Sequence, residues 1–76
     1  MKEKINSELS IYLKMMRVKH NLSQEEMANK LNVARNTYSI WESNPIKLDL
    51  NQLISIGDAM EENLLIFFKQ YVAKSN

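Results

Sequence analysis

The chain has 76 residues, 45% of them hydrophobic and 25% charged, with a formal net charge of +1; that allows one small domain with a core, not two, and argues neither for nor against a nucleic-acid partner. It has no Cys and one His, which excludes a disulfide framework and a Cys-based zinc site, leaves no HExxH-like pattern for a catalytic metal, and is compatible with the cytoplasm. One Gly and one Pro favour helices over a turn-rich β fold, no apolar run approaches the roughly 18 residues of a membrane span, and the opening MKEKINSELS lacks the apolar centre of a signal peptide.

The hydrophobic spacing predicts five helices, at about 7–20, 24–31, 35–42, 50–60 and 64–74. In the first, Leu9, Tyr12, Leu13 and Met16 fall at i, i+3, i+4 and i+7, while Ile11, Met15 and Val18 form a second stripe. Asn21 follows, a residue able to take the left-handed conformation that closes a helix. The second helix starts with a capping box, Ser23 with Glu26, and turns Met27, Ala28 and Leu31 inward. Asn32 is again suited to a left-handed turn. Only NVA separates this helix from the third, so the two must cross steeply.

In the third helix Tyr38 and Trp41 are placed towards the core, which leaves Arg35, Asn36, Ser39 and Ile40 pointing elsewhere. SNPIKL reads as a loop, because Pro45 biases Asn44 away from helix. The fourth helix has Asp49 as its cap, Gln52 at the third position, and Leu50, Leu53, Ile56 and Met60 in helical register. Gly57 inside it costs about 1 kcal/mol against Ala, which points to close helix packing. The fifth, capped by Asn63, carries Leu64, Leu65, Ile66, Phe67, Phe68, Tyr71 and Val72 around nearly its whole circumference. Such a helix must be covered on more than one face. No repeat or long linker interrupts the chain, so 1–76 is expected to be a single domain with a frayed KSN tail. His20 is placed at a helix end, and the five Met residues are expected to fill the core.

This pattern resembles the phage-repressor-type helix-turn-helix domains, the Cro/repressor or XRE-like family. The matching residues are Leu13 and Arg17, then LSQEEMANKL (22–31), VARNTYSIWE (33–42), and Leu53, Ile56, Ala59 and Met60. They extend over about 9–68. The resemblance implies an all-α, five-helix lambda-repressor-like fold whose second and third helices form the helix-turn-helix. It implies double-stranded DNA as partner, with the third helix in the major groove. Carried over by position, Arg35, Asn36, Ser39 and Ile40 would contact bases, and Ser23, Gln24, Thr37, Asn44 and Lys47 the DNA backbone. The chemistry agrees: Arg pairs with guanine O6 and N7, Asn with adenine N6 and N7, and Ile40 fits a thymine methyl. Arg17 and Glu42 would form a partly buried salt bridge. The chain departs from the family at Asn21 and Asn32, where Gly is usual, at Ala34, where Ser or Thr usually caps, and at Glu61 and Glu62 in place of a small-plus-apolar pair.

The stretch 23–42 holds Glu25, Glu26 and Glu42 against Lys30 and Arg35, a formal −1. That sign does not oppose DNA binding if Arg17 neutralises Glu42, Glu26 closes its own capping box and Glu25 faces solvent. No nucleophile–base pair, carboxylate dyad or phosphate loop is visible, so no enzyme and no cofactor is expected. The expected function is a cytoplasmic, nucleoid-associated regulator of transcription, bacterial or phage-encoded, and a dimeric repressor of a palindromic operator. The dimer is expected to form through Leu65, Phe68, Tyr71 and Val72 of the fifth helix, with nothing beyond it to add a ligand-binding domain. The alternative is a protein-interaction module or antitoxin, with a toxin on the same apolar helix.

Overall fold

The computed structural model describes residues 2–75, with the last turn described by its backbone alone at Tyr71, Val72, Lys74 and Ser75. Its helices are α1 (Lys2–Lys19), α2 (Gln24–Leu31), α3 (Arg35–Ser43), α4 (Leu50–Met60) and α5 (Leu64–Ser75), with a 3-10 turn at Pro45–Lys47. Four of the helices start where the spacing and caps predict. The first starts at Lys2 instead of near residue 7, because Ile5 continues the apolar stripe onto the core and Asn6 is hydrogen-bonded to the last residue of α3 and to the turn after it.

Local chemistry sets most helix boundaries. At α2 the Ser23 hydroxyl accepts from the Glu26 N–H (3.0 Å) and the Glu26 carboxylate accepts from the Ser23 N–H (2.9 Å). Asp49 and Gln52 make the same reciprocal pair at α4, at 2.7 and 2.9 Å. Each pair satisfies two N–H groups that a helix start leaves without intrahelical partners. Asn63 accepts from the Ile66 N–H at the start of α5.

Three helices close by the same device. Asn21, Asn32 and Glu61 take the left-handed conformation, with φ of 57°, 59° and 56°. The N–H of the following residue then reaches back five positions, Leu22 to Arg17, Val33 to Ala28 and Glu62 to Gly57, as a Schellman closure requires. Asn performs the turn usually given to Gly. At Glu61 a side chain without Asn's local hydrogen-bonding ability takes it, and this resolves the route into α5.

The core joins all five helices: Leu9 and Leu13, Met27 and Ala28, Tyr38, then Leu53, Ile56 and Met60, and finally Leu64 and Phe68. Each large apolar side chain buried here contributes about 1.5–3 kcal/mol. Leu50, expected in the core register of α4, is instead 57% exposed; at the first position of the helix it lies beyond the reach of the packed layer. Met15, expected as a core filler, is also exposed.

Gly57 lies at the contact of α4 with the start of α5. A Cβ built on it would be 2.6 Å from the Glu62 carbonyl oxygen. That oxygen is backbone and cannot swing aside. Gly57→Ala therefore destabilises the domain by about 1–3 kcal/mol of overpacking, more than the roughly 1 kcal/mol that Ala gains in helix propensity. Chemical denaturation of the variant measures the net loss.

Candidate nucleic-acid interface

The geometry of α3 follows from what holds its inner face. Tyr38 and Glu42 are fully buried, one turn apart, and Trp41 packs partly buried beside them. The outer face presents Arg35, Asn36 and Ile40 to solvent, with Ser39 and Thr37 half-buried at its sides. Ile40 is 56% exposed although apolar. None of these residues is acidic.

Glu42 is the hub that fixes this helix. Its carboxylate accepts from Arg17 Nε (2.7 Å) and Nη2 (3.2 Å), from Gln24 Nε2 (3.0 Å) and from the Tyr38 hydroxyl (2.8 Å). Its backbone carbonyl accepts from the buried Ser10 hydroxyl at 2.7 Å. Arg17 Nη1 donates to the Leu22 carbonyl at 2.7 Å. Side chains from α1, α2 and α3 thus converge on one anion. A buried carboxylate is costly unless paired and hydrogen-bonded, and here no buried side-chain polar atom among the described residues lacks a partner. Burial pushes the Glu42 carboxyl up, but the hydrogen bonds from Arg17, Gln24 and Tyr38 outweigh it and hold it below the usual value. Burial, with Glu42 as acceptor, pushes the Tyr38 phenol far up, so it remains a donor.

The Arg17–Glu42 pair stands as expected, but its partners Tyr38, Gln24 and Ser10 were not anticipated. Tyr38 was legible only as an apolar contact, although its position four residues before Glu42 places the two on one helix face. Gln24 differs from expectation in direction. Its amide turns inward onto Glu42, because an ionised carboxylate accepts only and therefore claims the NH2 end. One amide hydrogen remains for an outside acceptor. Ser23 is committed to its cap.

Asn44 and Lys47 lie beside the outer end of α3 and line one hollow with Ile40, Trp41, Leu48 and Gln52. Ile40, Asn44 and Lys47 thus share one hollow at the end of α3 and the turn that follows, while Arg35, Asn36 and Ser39 lie on the first two turns of the same helix. Ala34 gives the start of α3 no side-chain hydrogen bond. Ala34→Ser supplies the missing acceptor, and thermal unfolding should show a gain of about 1 kcal/mol.

The expected dimer residues separate. Leu65 is 37% exposed and Ile66 53%, whereas Phe68 is 8% exposed and part of the core. Phe68 is thus corrected to a core residue: α5 lies on α4 with the Leu64 and Phe68 side inward. The side chains of Tyr71 and Val72 lie outside those described. Ile11, Met15 and Val18 stay uncovered, since α5 reaches α1 at Tyr12, whose ring stacks on Phe67 with centroids 3.6 Å apart. His20 accepts a role beyond ending α1: its Nε2 lies 2.7 Å from the Glu62 carboxylate, an interaction that holds the Glu62 carboxyl below its usual value. Among the described residues no helix is long and apolar enough to cross a membrane.

A pair of packed helices joined by a three-residue turn, with a largely polar outer face and three supporting helices, defines the helix-turn-helix class of DNA-binding domains. The helix-turn-helix family model matches residues 13–67, and the chain belongs to this family, in its XRE-like branch. The fold is similar to that of the restriction-modification controller protein C.Esp1396I in its wild-type crystal structure, with a TM-score of 0.73 and 27% identity over 92% of this chain and 91% of that one. No curated protein gives a match. The chain is a DNA-binding regulator of transcription.

Proposed function

We propose that the protein is a sequence-specific reader of double-stranded DNA that docks α3 in the major groove. The observation that carries this is the outer face of α3, where Arg35, Asn36 and Ile40 stand exposed on a helix pinned from behind by the Glu42 hub. Arg35 and Asn36 supply bidentate partners for guanine and adenine, and Ile40 an apolar contact for a thymine methyl. Ser39 and Thr37 flank them. Asn44 and Lys47 hold the adjacent backbone, as does the second amide hydrogen of Gln24. Ser23 contributes through the helix start it caps.

A single domain of this size offers one half-site. We infer a homodimer on a palindromic operator, with half-sites about 34 Å apart. Leu65 remains its best-placed residue on α5, and the exposed Leu50 and Ile54 of α4 extend the same kind of surface; Ile54 and Leu65 line one hollow. Repression by occupying the operator is the simplest mechanism, and it places the protein on the nucleoid in the cytoplasm. The exposed stripe of Ile11, Met15 and Val18 supports a second reading, a protein partner such as a toxin bound at a separate face.

The experiment that tests DNA docking is a titration of duplex DNA at several salt concentrations. Arg35 and Lys47 are the cations on the reading side, so few phosphates are neutralised per monomer. The slope of log K against log salt is expected to be shallow, about −0.9 for each phosphate contacted. A slope implying many phosphates per monomer contradicts the docking described.

A further inference from the structure

We propose that Asn6 is a positioning residue for DNA binding: its side chain on α1 sets the segment that carries Asn44 and Lys47, a role that rests on the docking of α3 proposed above. Asn6 lies in the second turn of α1, far in sequence from the reading helix. Its Oδ1 accepts from the Ile46 N–H at 3.0 Å and its Nδ2 donates to the Ser43 carbonyl at 3.4 Å.

Both backbone groups need an outside partner. Ser43 is the last residue of α3, where carbonyls run out of intrahelical donors, and Ile46 is inside a three-residue turn whose first N–H groups have none. A single planar amide spans the two, with its acceptor on one and its donor on the other. Between these two ties lies Asn44, at φ −139° and ψ 57°, outside the regular helical and extended regions. Pro45 is buried and brings no N–H of its own. Immediately after the second tie comes Lys47, whose own N–H closes back on the Asn44 carbonyl at 3.2 Å. The backbone from Ser43 to Lys47 is thus held by one side chain of another helix, while Asn44 and Lys47 look out over the hollow they share with Ile40.

Asn6 does not reach that hollow itself. Without it, the turn keeps its internal bonds and its buried Pro45 but loses its hydrogen bonds to the Asn6 side chain of α1, and Lys47 loses a fixed starting point. Ala removes both ties. Asp keeps the acceptor for the Ile46 N–H and loses the donor to Ser43.

The test is a double-substitution cycle in duplex binding, with Asn6→Ala, Lys47→Ala and the two together, each titrated at several salt concentrations. Asn6→Ala is expected to weaken binding about tenfold on every sequence alike and to make the salt slope shallower by about 1, as loss of one phosphate contact does. Base preference should not move, and the double variant should lose clearly less than the sum of the two single losses, binding more weakly than Lys47→Ala only by what Asn44 contributes. A purely architectural Asn6 would lower the melting temperature without changing the slope. If Asn6→Ala does not fold, Asn6→Asp takes its place in the same cycle. Wild-type affinity and slope in the Asn6 variant, or losses that add fully to those of Lys47→Ala, overturn the proposal. Failure of the wild-type protein to bind any duplex overturns the docking of α3, and this proposal with it.

Discussion

Arg17→Ala is expected to destabilise the domain by about 3–5 kcal/mol, because it strips a buried carboxylate of its cation. Small domains are stable by only about 5–15 kcal/mol, so the variant should be largely or wholly unfolded near the wild-type melting range. The loss exceeds that of a surface ion pair, worth about 0–1 kcal/mol, since Glu42 is fully buried and Arg17 nearly so, at 0% and 14% side-chain exposure. Arg17→Lys should fall between the two. An ammonium cannot serve Glu42 twice and the Leu22 carbonyl at once, as the guanidinium fork does.

The pH dependence has a definite sign. Glu42 is held below its ordinary value in the folded protein, so its contribution is fully present above the unfolded carboxyl value of about 4.3 and is lost as pH falls through the lower folded value. In Arg17→Ala, burial acts with less opposition and moves the folded value of Glu42 upward. The variant then gains relative to wild type as pH falls, because the folded state prefers the neutral acid. Denaturation curves at pH 7 and near pH 4 should show the gap between the two proteins narrowing. A constant gap would mean that Glu42 carries no buried charge.

Replacing Arg35 and Asn36 together with Ala is expected to remove sequence-specific binding while leaving the fold intact. A bidentate base contact is worth about 1–3 kcal/mol of discrimination, so the pair accounts for about 2–6 kcal/mol, roughly thirty-fold to twenty-thousand-fold. Both side chains are exposed, and substitutions at such positions shift stability within about 0.5 kcal/mol. Competition of specific against random duplex, set beside a thermal melt, separates the two effects. A protein partner at the Ile11, Met15 and Val18 stripe should bind the double variant as it binds wild type. Unchanged discrimination would remove α3 as the reading helix.

The sequence was most readable where a residue acts on its near neighbours. The capping boxes at Ser23 and Asp49 place donor and acceptor three positions apart, so the spacing alone specifies the bond. The left-handed closures at Asn21 and Asn32 were legible for the same reason, while Glu61 was not, because nothing in a Glu marks such a turn. The Arg17–Glu42 bridge, separated by 25 positions, was accessible through resemblance to a family. The rest of the hub was hidden because Tyr38 and Gln24 have other ordinary roles: an aromatic core contact and a polar helix start. The Asn6 clamp joins residues 37 and 40 positions apart, a distance over which spacing says nothing. Which side of α5 is inward was equally undetermined, since apolar residues surround it. Close approach at Gly57 fixes how α5 leaves α4, and that sends Phe68 inward and leaves Leu65 and Ile66 outside.

The central claim, that this domain reads a specific duplex sequence as a pair of half-sites, is tested most directly by selecting from random double-stranded DNA with the purified wild-type protein. The account predicts enrichment of a palindrome whose half-sites are centred about one helical turn apart, with enrichment lost in the Arg35 and Asn36 double variant. A pool that stays random through successive rounds, or one that enriches equally with the double variant, would contradict it.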